Sequence, residues 1–297
     1  YHFEQADVND AEALHGIFAK YAPDVVLHLA AESHVDRSID GPSQAVSTNV
    51  GGTFNLLEAA RAHYGAMDAA GRERFRFVHV STDEVFGSLG RDGKFSEATP
   101  YAPSSPYAAS TAGSDHLVRA WQRTYGLPTV ISSCCNNYGP FQFPEKLMPL
   151  MIIQAIQGEP MPLYGKGENV RDWLFVDDHV RALMAVAEHG RIGESYLVGG
   201  SCERRNIDVV KAICSMVDEI VPDPTLGPRE SLIRFVEDRP GHDLRYAVDA
   251  SKTIRELAWS PEVSFDSGLR RTVEWYVNNR SWWEPLRSRL DAGYSPT

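Results

Sequence analysis

The sequence predicts a doubly wound parallel α/β sheet followed by a smaller α/β domain. Three features predict it: short apolar runs that end in small or polar residues, helical periodicity between those runs, and glycine or proline at the stops. Val25 to Leu29 (V-V-L-H-L) is such a run, and it leads into Ala30 and Ala31, the pattern of a buried parallel strand entering a loop. Thr53 to Ala62 places Phe54, Leu57 and Ala60 or Arg61 at turn spacing and predicts a helix. Phe75 to Val80 alternates and ends at Ser81-Thr82, a second strand with a polar carboxyl edge. Pro106 to Tyr125 predicts a long helix, closed by Gly126-Leu127-Pro128, and Thr129 to Ser133 a further strand.

The second half is less regular. Leu147 to Gln157, Asp178 to His189, Ile207 to Ile220 and Ser267 to Asn278 predict helices, and Tyr196 to Val198 and Leu232 to Val236 predict strands. Val221 to Pro228 predicts a loop, and Trp282 and Trp283 read as core or interface. The expected division is a first domain over 1–140, with 172–200 returning to it, and a second domain over 141–297. No internal repeat or low-complexity tract interrupts this order.

Composition narrows the function. A chain of 297 residues with 43% hydrophobic and 23% charged residues has the balance of a globular protein. No apolar stretch approaches the roughly 20 residues that span a bilayer, and Tyr1 to Asp10 is too polar for a secretory segment. A net charge of -11 argues against nucleic acid as partner. Cys134, Cys135, Cys202 and Cys214 lack metal-ligand spacing, so no metal is expected and a reducing, cytoplasmic setting fits.

A parallel sheet of this kind binds dinucleotides at a glycine-rich first turn. No G-x-G-x-x-G follows a strand here, and Gly51-Gly52 precedes a helix without a strand before it. The expectation is a chain that lacks the leading βαβ unit, at least ~30 residues.

Two constellations carry chemistry. Ser81-Thr82-Asp83-Glu84 ends a strand, where side chains face a ligand site. Adjacent carboxylates in apolar surroundings do not ionise together easily, so one can act as acid and the other as base. A solvated acidic turn is the bland alternative. The second constellation, Tyr107-Ala108-Ala109-Ser110-Thr111, opens the long helix after P-Y-A-P-S-S-P at 100 to 106.

T-D-E-V-F-G at 82 to 87, P-Y-A-P-S-S-P-Y-x-x-S at 100 to 110 and S-D-H-L-V-R-A-W at 114 to 121 resemble the dTDP-glucose 4,6-dehydratase family of extended short-chain dehydrogenases/reductases. So do L-A-A-E-S-H-V-D-R-S-I at 29 to 39, N-N-Y-G-P-F-Q-F-P-E-K-L at 136 to 147 and D-R-P-G-H-D-x-R-Y at 238 to 246. The likeness covers nearly the whole chain. Single blocks also occur in sugar epimerases, but Asp83-Glu84 together with 238 to 246 is specific.

The resemblance implies a Rossmann-like domain that binds NAD, a dTDP-sugar substrate and a homodimer. It implies that Tyr107 removes a hydroxyl proton as hydride leaves carbon 4, that Glu84 takes the carbon 5 proton, that Asp83 protonates the departing carbon 6 hydroxyl, and that Thr82 bonds the reacting oxygen. Implied cofactor contacts are Asp7, Val8, Leu29, Ala30, Ala31, Glu32, Ser33, Thr48, Tyr107, Thr111 and Asn137. Implied substrate contacts are Ser33, Thr82, Asn136, Lys146, Leu147, Pro162, Leu163, Tyr164, Arg171, Asn206, Asp238, Arg239, Pro240, Gly241, His242 and Tyr246. Arginines suit a diphosphate because guanidinium binds phosphate bidentately. Surface ion pairs are the bland alternative for Arg171 and Arg239, as strand-end packing is for Leu29 to Ala31.

One position departs from the family. It has Y-x-x-x-K, and this chain has Thr111 in place of the lysine. The expectation is impaired catalysis, and the rival readings are another nucleotide-sugar dehydratase, epimerase or decarboxylase, or a silent binding homologue. Ser133 also stands where a larger polar residue is usual. His28 reads as a core histidine, Cys134 and Cys135 as packing, and His34 and Asp36 receive no role.

Overall fold

The computed structural model describes residues 1–291. In chain order the elements are α1 (Ala11–Tyr21), β1 (Val25–His28), α2 (Val35–Asp40), α3 (Pro42–Ala45), a π-helical stretch (Val46–Gly52), α4 (Thr53–Ala66), α5 (Ala69–Arg74), β2 (Arg76–Thr82), a 3-10 turn (Asp83–Phe86), α6 (Pro106–Tyr125), β3 (Thr129–Cys134) and β4 (Asn136–Tyr138). There follow α7 (Leu147–Gln157), β5 (Met161–Tyr164), β6 (Val170–Phe175), α8 (Val176–His189), β7 (Ser195–Val198), β8 (Glu203–Arg205), α9 (Asn206–Ile220), β9 (Ile233–Val236), α10 (Ser251–Leu257), α11 (Phe265–Asn278) and α12 (Arg280–Asp291). A second 3-10 turn covers Arg229–Leu232.

The described residues form two compact units: 1–135 with 181–198 and 241–260, and 136–180 with 199–240 and the chain from 261 on. The first therefore takes back a shorter piece than the sequence suggested, and also a second piece, 241–260, that was expected in the other domain. Local periodicity could not reveal it, because the return rests on pairing distant in sequence, such as the parallel bridge of Phe95 with Val248.

In the first unit β1, β2, β3 and β7 form one parallel sheet in the order β1-β2-β3-β7. Thr82 pairs with Cys134 and Cys134 with Val198, so the carboxyl ends of three strands align. β1 stops at His28, opposite His79, which leaves Leu29 to Ser33 beyond the strand end. Leu14, Phe18, Leu57, Phe75, Phe77, Val118 and Ile131 form the core between sheet and helices. His28 is the buried histidine the sequence suggested: its Nε2 lies 2.9 Å from Thr53 Oγ1. Gly51 and Gly52 lie in the π-helical stretch, where a Cβ on Gly52 would come within 2.5 Å of the Val8 side chain.

In the second unit β4 pairs with β6, β6 with β8, and β5 with β9. Apolar faces of α7, α9 and α11 close a core of Met148, Ile152, Val210, Ile213, Leu269 and Tyr276. Trp283 is fully buried there, with Trp282 partly buried against it.

Candidate active site

β2 delivers the acidic pair. Thr82 ends the strand and caps the 3-10 turn, its Oγ1 accepting from the Glu84 amide at 3.3 Å. The turn closes when Gly87 N donates to Glu84 O at 3.1 Å, and Ala102 N donates to Val85 O at 3.0 Å. Gly87 has φ +81°, and a Cβ there would lie 2.2 Å from Ala102 O, so only glycine allows this approach. Asp83 is buried and Glu84 partly buried as a result.

α6 delivers the phenol. Ser105 caps the helix by accepting from Ala108 N at 3.1 Å, Pro106 fills the first turn, and Tyr107 N donates to Ser38 Oγ at 3.2 Å. Burial pushes the Tyr107 phenol well above its ordinary pKa. Glu84, Cys134 and Asp83 push it further in the same direction, while a hydrogen bond with Thr82 pulls it back. Thr82, Asp83, Glu84 and Tyr107 are thus gathered at one strand end. Such a group can remove a hydroxyl proton, remove a carbon-bound proton and donate a proton to a leaving group.

At the position where the family carries lysine, this chain places a neutral hydroxyl. Thr111 is buried, and its hydroxyl donates to the Tyr107 carbonyl at 3.1 Å. Sequence reasoning missed Asn49, which is buried in the π-helical stretch. Its Oδ1 accepts from Glu32 N at 2.8 Å, and its Nδ2 donates to Glu32 O at 3.0 Å and to Ser110 Oγ at 2.9 Å. This amide fixes the loop after β1 to α6. A π-helical turn is itself a frequent mark of a functional position.

The loop after β1 lies at the sheet's carboxyl edge, where ligands bind in open α/β sheets. Leu29, Ala30 and Ala31 are exposed rather than packed, so the bland strand-end reading fails. Two exposed alanines beyond a parallel strand leave the backbone there open to approach. Glu32 and Ser33 are partly buried, Thr48 is partly buried, and Asp7 is exposed, its carboxylate accepting from Asn9 N at 2.8 Å.

Other expected contacts divide between the units. Gly241, His242 and Tyr246 lie in the first. Tyr246 donates to Asp243 Oδ2 at 2.6 Å and Ser104 to Asp243 Oδ1 at 2.7 Å, which holds this segment against the approach to α6. Asn136, Asn137, Lys146, Leu147, Pro162, Leu163, Tyr164, Arg171, Asn206, Asp238, Arg239 and Pro240 lie in the second. There Gly167 N donates to Tyr164 O and Ile207 N to Gly167 O, and Gly165 N donates to Val236 O. Those bonds bring Tyr164, Asn206 and the chain leading to Asp238 to one turn. Leu163 differs from its neighbours: strand alternation exposes Pro162 and Tyr164 but turns Leu163 into the core. Arg171 is buried in β6, and its Nη1 donates to Val170 O at 2.8 Å.

The model of the GDP-mannose 4,6 dehydratase family matches residues 1–272. A dTDP-glucose 4,6-dehydratase of Neisseria meningitidis serogroup B is 58% identical over 287 residues, which is 96% of this chain and 81% of the relative. The dTDP-glucose 4,6-dehydratase 1 of Escherichia coli K12 is 54% identical over 297 residues, 97% of this chain and 82% of the relative. The crystal structure of the Streptomyces venezuelae dTDP-glucose 4,6-dehydratase DesIV with NAD bound superposes with a TM-score of 0.85 at 48% identity, covering 95% of this chain and 81% of that one. By these matches, and by the acidic pair and phenol gathered at the end of β2, the chain belongs to the nucleotide-sugar 4,6-dehydratase family, among its dTDP-glucose 4,6-dehydratases.

Proposed function

We propose that this chain converts dTDP-glucose to dTDP-4-keto-6-deoxyglucose, with catalysis slowed by Thr111. The observation that supports it is the gathering of two carboxyl groups, a threonine and a phenol at one strand end, because simple oxidation of an alcohol requires no acidic pair. Tyr107 takes the carbon 4 hydroxyl proton, and Thr82 bonds the same oxygen as charge develops on it. The carbon 4 ketone acidifies the neighbouring carbon 5 proton, which Glu84 removes. Buried Asp83 gives a proton to the departing carbon 6 hydroxyl. When bound, NAD would supply a temporary store for the hydride, taken from carbon 4 and returned to carbon 6 as Glu84 gives a proton back to carbon 5, so that the reaction would be redox-neutral.

Leu29, Ala30, Ala31, Glu32, Ser33, Thr48, Asp7, Val8 and Asn137 would hold the cofactor, and Thr111 replaces the ammonium beside it. To the substrate we assign Ser33, Asn136, Lys146, Leu147, Pro162, Tyr164, Arg171, Asn206, Asp238, Arg239, Pro240, Gly241, His242 and Tyr246, with Leu163 acting through its backbone. α4 and α6 carry Phe54, Trp121 and Tyr125 in edge-to-face contact at 5.8 and 5.4 Å. Phe54 and Tyr125 are exposed, an apolar patch a homodimer would bury. No helix among the described residues is long and apolar enough to cross a membrane, and a cytoplasmic setting is our assignment.

Incubation with NAD and dTDP-, GDP- or UDP-glucose, with product analysis, tests the reading. A 4-keto-6-deoxy product from the dTDP-sugar supports it. A carbon 4 epimer, or binding of both NAD and dTDP-glucose by Thr111→Lys without conversion, refutes it.

A further inference from the structure

Asp115 lies two helical turns beyond Tyr107 on α6 and is fully buried. Its Oδ2 accepts from Ser81 Oγ at 2.8 Å and from Tyr101 OH at 2.6 Å, and His79 Nε2 stands 3.2 Å from its Oδ1. Tyr101 is fixed in turn by Arg119 Nη2 at 2.7 Å, whose guanidinium also lies against its ring, and by edge-to-face packing on Phe86 at 5.1 Å.

This carboxylate and its partners join three segments. Ser81 is the residue before Thr82, Asp83 and Glu84. Tyr101 belongs to the stretch that meets the 3-10 turn through Ala102. Asp115 itself belongs to the helix that carries Tyr107. A buried carboxylate is costly unless its hydrogen bonds are made, so its partners hold it, and each other, in one arrangement. None of these groups needs to touch substrate.

We propose, resting on the dehydratase reading, that Asp115 is a positioning residue. It clamps the carboxyl end of β2 to α6 and so fixes the spacing between the acidic pair on the strand and the phenol on the helix. Proton transfers tolerate little misplacement, whereas the affinity for the nucleotide half of the substrate does not depend on this spacing.

The test compares Asp115→Asn, which keeps the shape, with Ser81→Ala and Tyr101→Phe, each of which removes one donor. On the chain itself, amide hydrogen exchange reads the clamp without turnover. Exchange over residues 82–87 is expected to accelerate at least about tenfold in Asp115→Asn while β3 and α9 keep their protection. In the Thr111→Lys background, kcat is expected to fall at least about tenfold with KM for dTDP-glucose within about twofold. Ser81→Ala and Asp115→Asn should be less than additive, because one removes the donor of the Ser81 bond and the other removes the charge of its acceptor. Unchanged exchange over 82–87, loss of protection throughout the chain, or a kcat unaffected by Asp115→Asn would each overturn the proposal. If no sugar is turned over in any background, the dehydratase reading fails, and the exchange result alone judges the clamp.

Discussion

Thr111 donates its hydroxyl to the carbonyl of Tyr107, 3.1 Å away and one turn back on the same helix. The bond closes a helical turn and puts a neutral hydroxyl where the family carries an ammonium. A lysine at the same place would put an ammonium on the face that Tyr107 shares. At roughly 5 Å and an effective dielectric near 20, the attraction is about 3 kcal/mol, or some two pKa units on the phenol.

Thr111→Lys is therefore expected to raise kcat by about 100-fold. The acid limb of the rate profile should also move to lower pH, because the cation favours the phenolate that burial and Glu84 disfavour. Steady-state rates across pH check both effects, and an unchanged kcat would remove the assigned reason for impairment.

The acidic pair separates elimination from oxidation. Glu84→Gln and Asp83→Asn in the Thr111→Lys chain should slow release of the dehydrated product by about 10²- to 10⁴-fold while an absorbance at 340 nm still develops with dTDP-glucose. Tyr107→Phe should abolish both signals. If the carboxamide variants and Tyr107→Phe lose the 340 nm signal alike, the division of roles is wrong.

Gly87→Ala probes the turn between strand and helix. A side chain at φ +81° is disfavoured, and this one would press on Ala102 O. The expected loss is at least about 2 kcal/mol, a fall in Tm of about 5 °C. Differential scanning calorimetry reads it directly. A tolerated alanine would mean that the turn yields more than this packing allows.

Two buried histidines contribute to the loss of stability in acid. Burial, with a smaller contribution from nearby His79, lowers His28 to about 3, and burial lowers His179 to about 4. Both stay neutral when folded, while unfolded histidine binds a proton below about pH 6.5. The unfolded chain therefore gains protons first, and stability falls as pH drops from about 6.5 toward those lowered values. By pH 5 each histidine contributes about 2 kcal/mol of that loss. His28→Gln can keep a hydrogen bond to Thr53 and should shrink the difference in unfolding free energy between pH 7.5 and pH 5 by about 2 kcal/mol. Urea titrations at the two pH values measure it.

Much of the first unit could be read from the chain because its signals are local. Ser105-Pro106 and Gly126 mark both ends of α6, and Ser81-Thr82 marks the end of β2. The phenol and the acidic pair follow from those two elements. Other features depend on partners far along the chain. The turn of Leu163 into the core comes from its place in a strand that pairs with Ile233–Val236, some 70 residues on. The roles of Asn49 and Asp115 come from groups packed around them, and an asparagine among S-T-N-V-G-G or an acid inside a helix gives no such sign alone. The weight of Thr111 was visible only against the family pattern, because a threonine in a helix is otherwise unremarked.

The most direct test follows one hydrogen. The Thr111→Lys chain, given NAD and dTDP-glucose deuterated at carbon 4, should yield a 4-keto-6-deoxy sugar with that deuterium in its carbon 6 methyl group, and in heavy water should place solvent deuterium at carbon 5. Carbon 4 deuterium lost to solvent, or recovered only in unreacted or epimerised sugar, would contradict a phenol and an acidic pair acting together on one hexose.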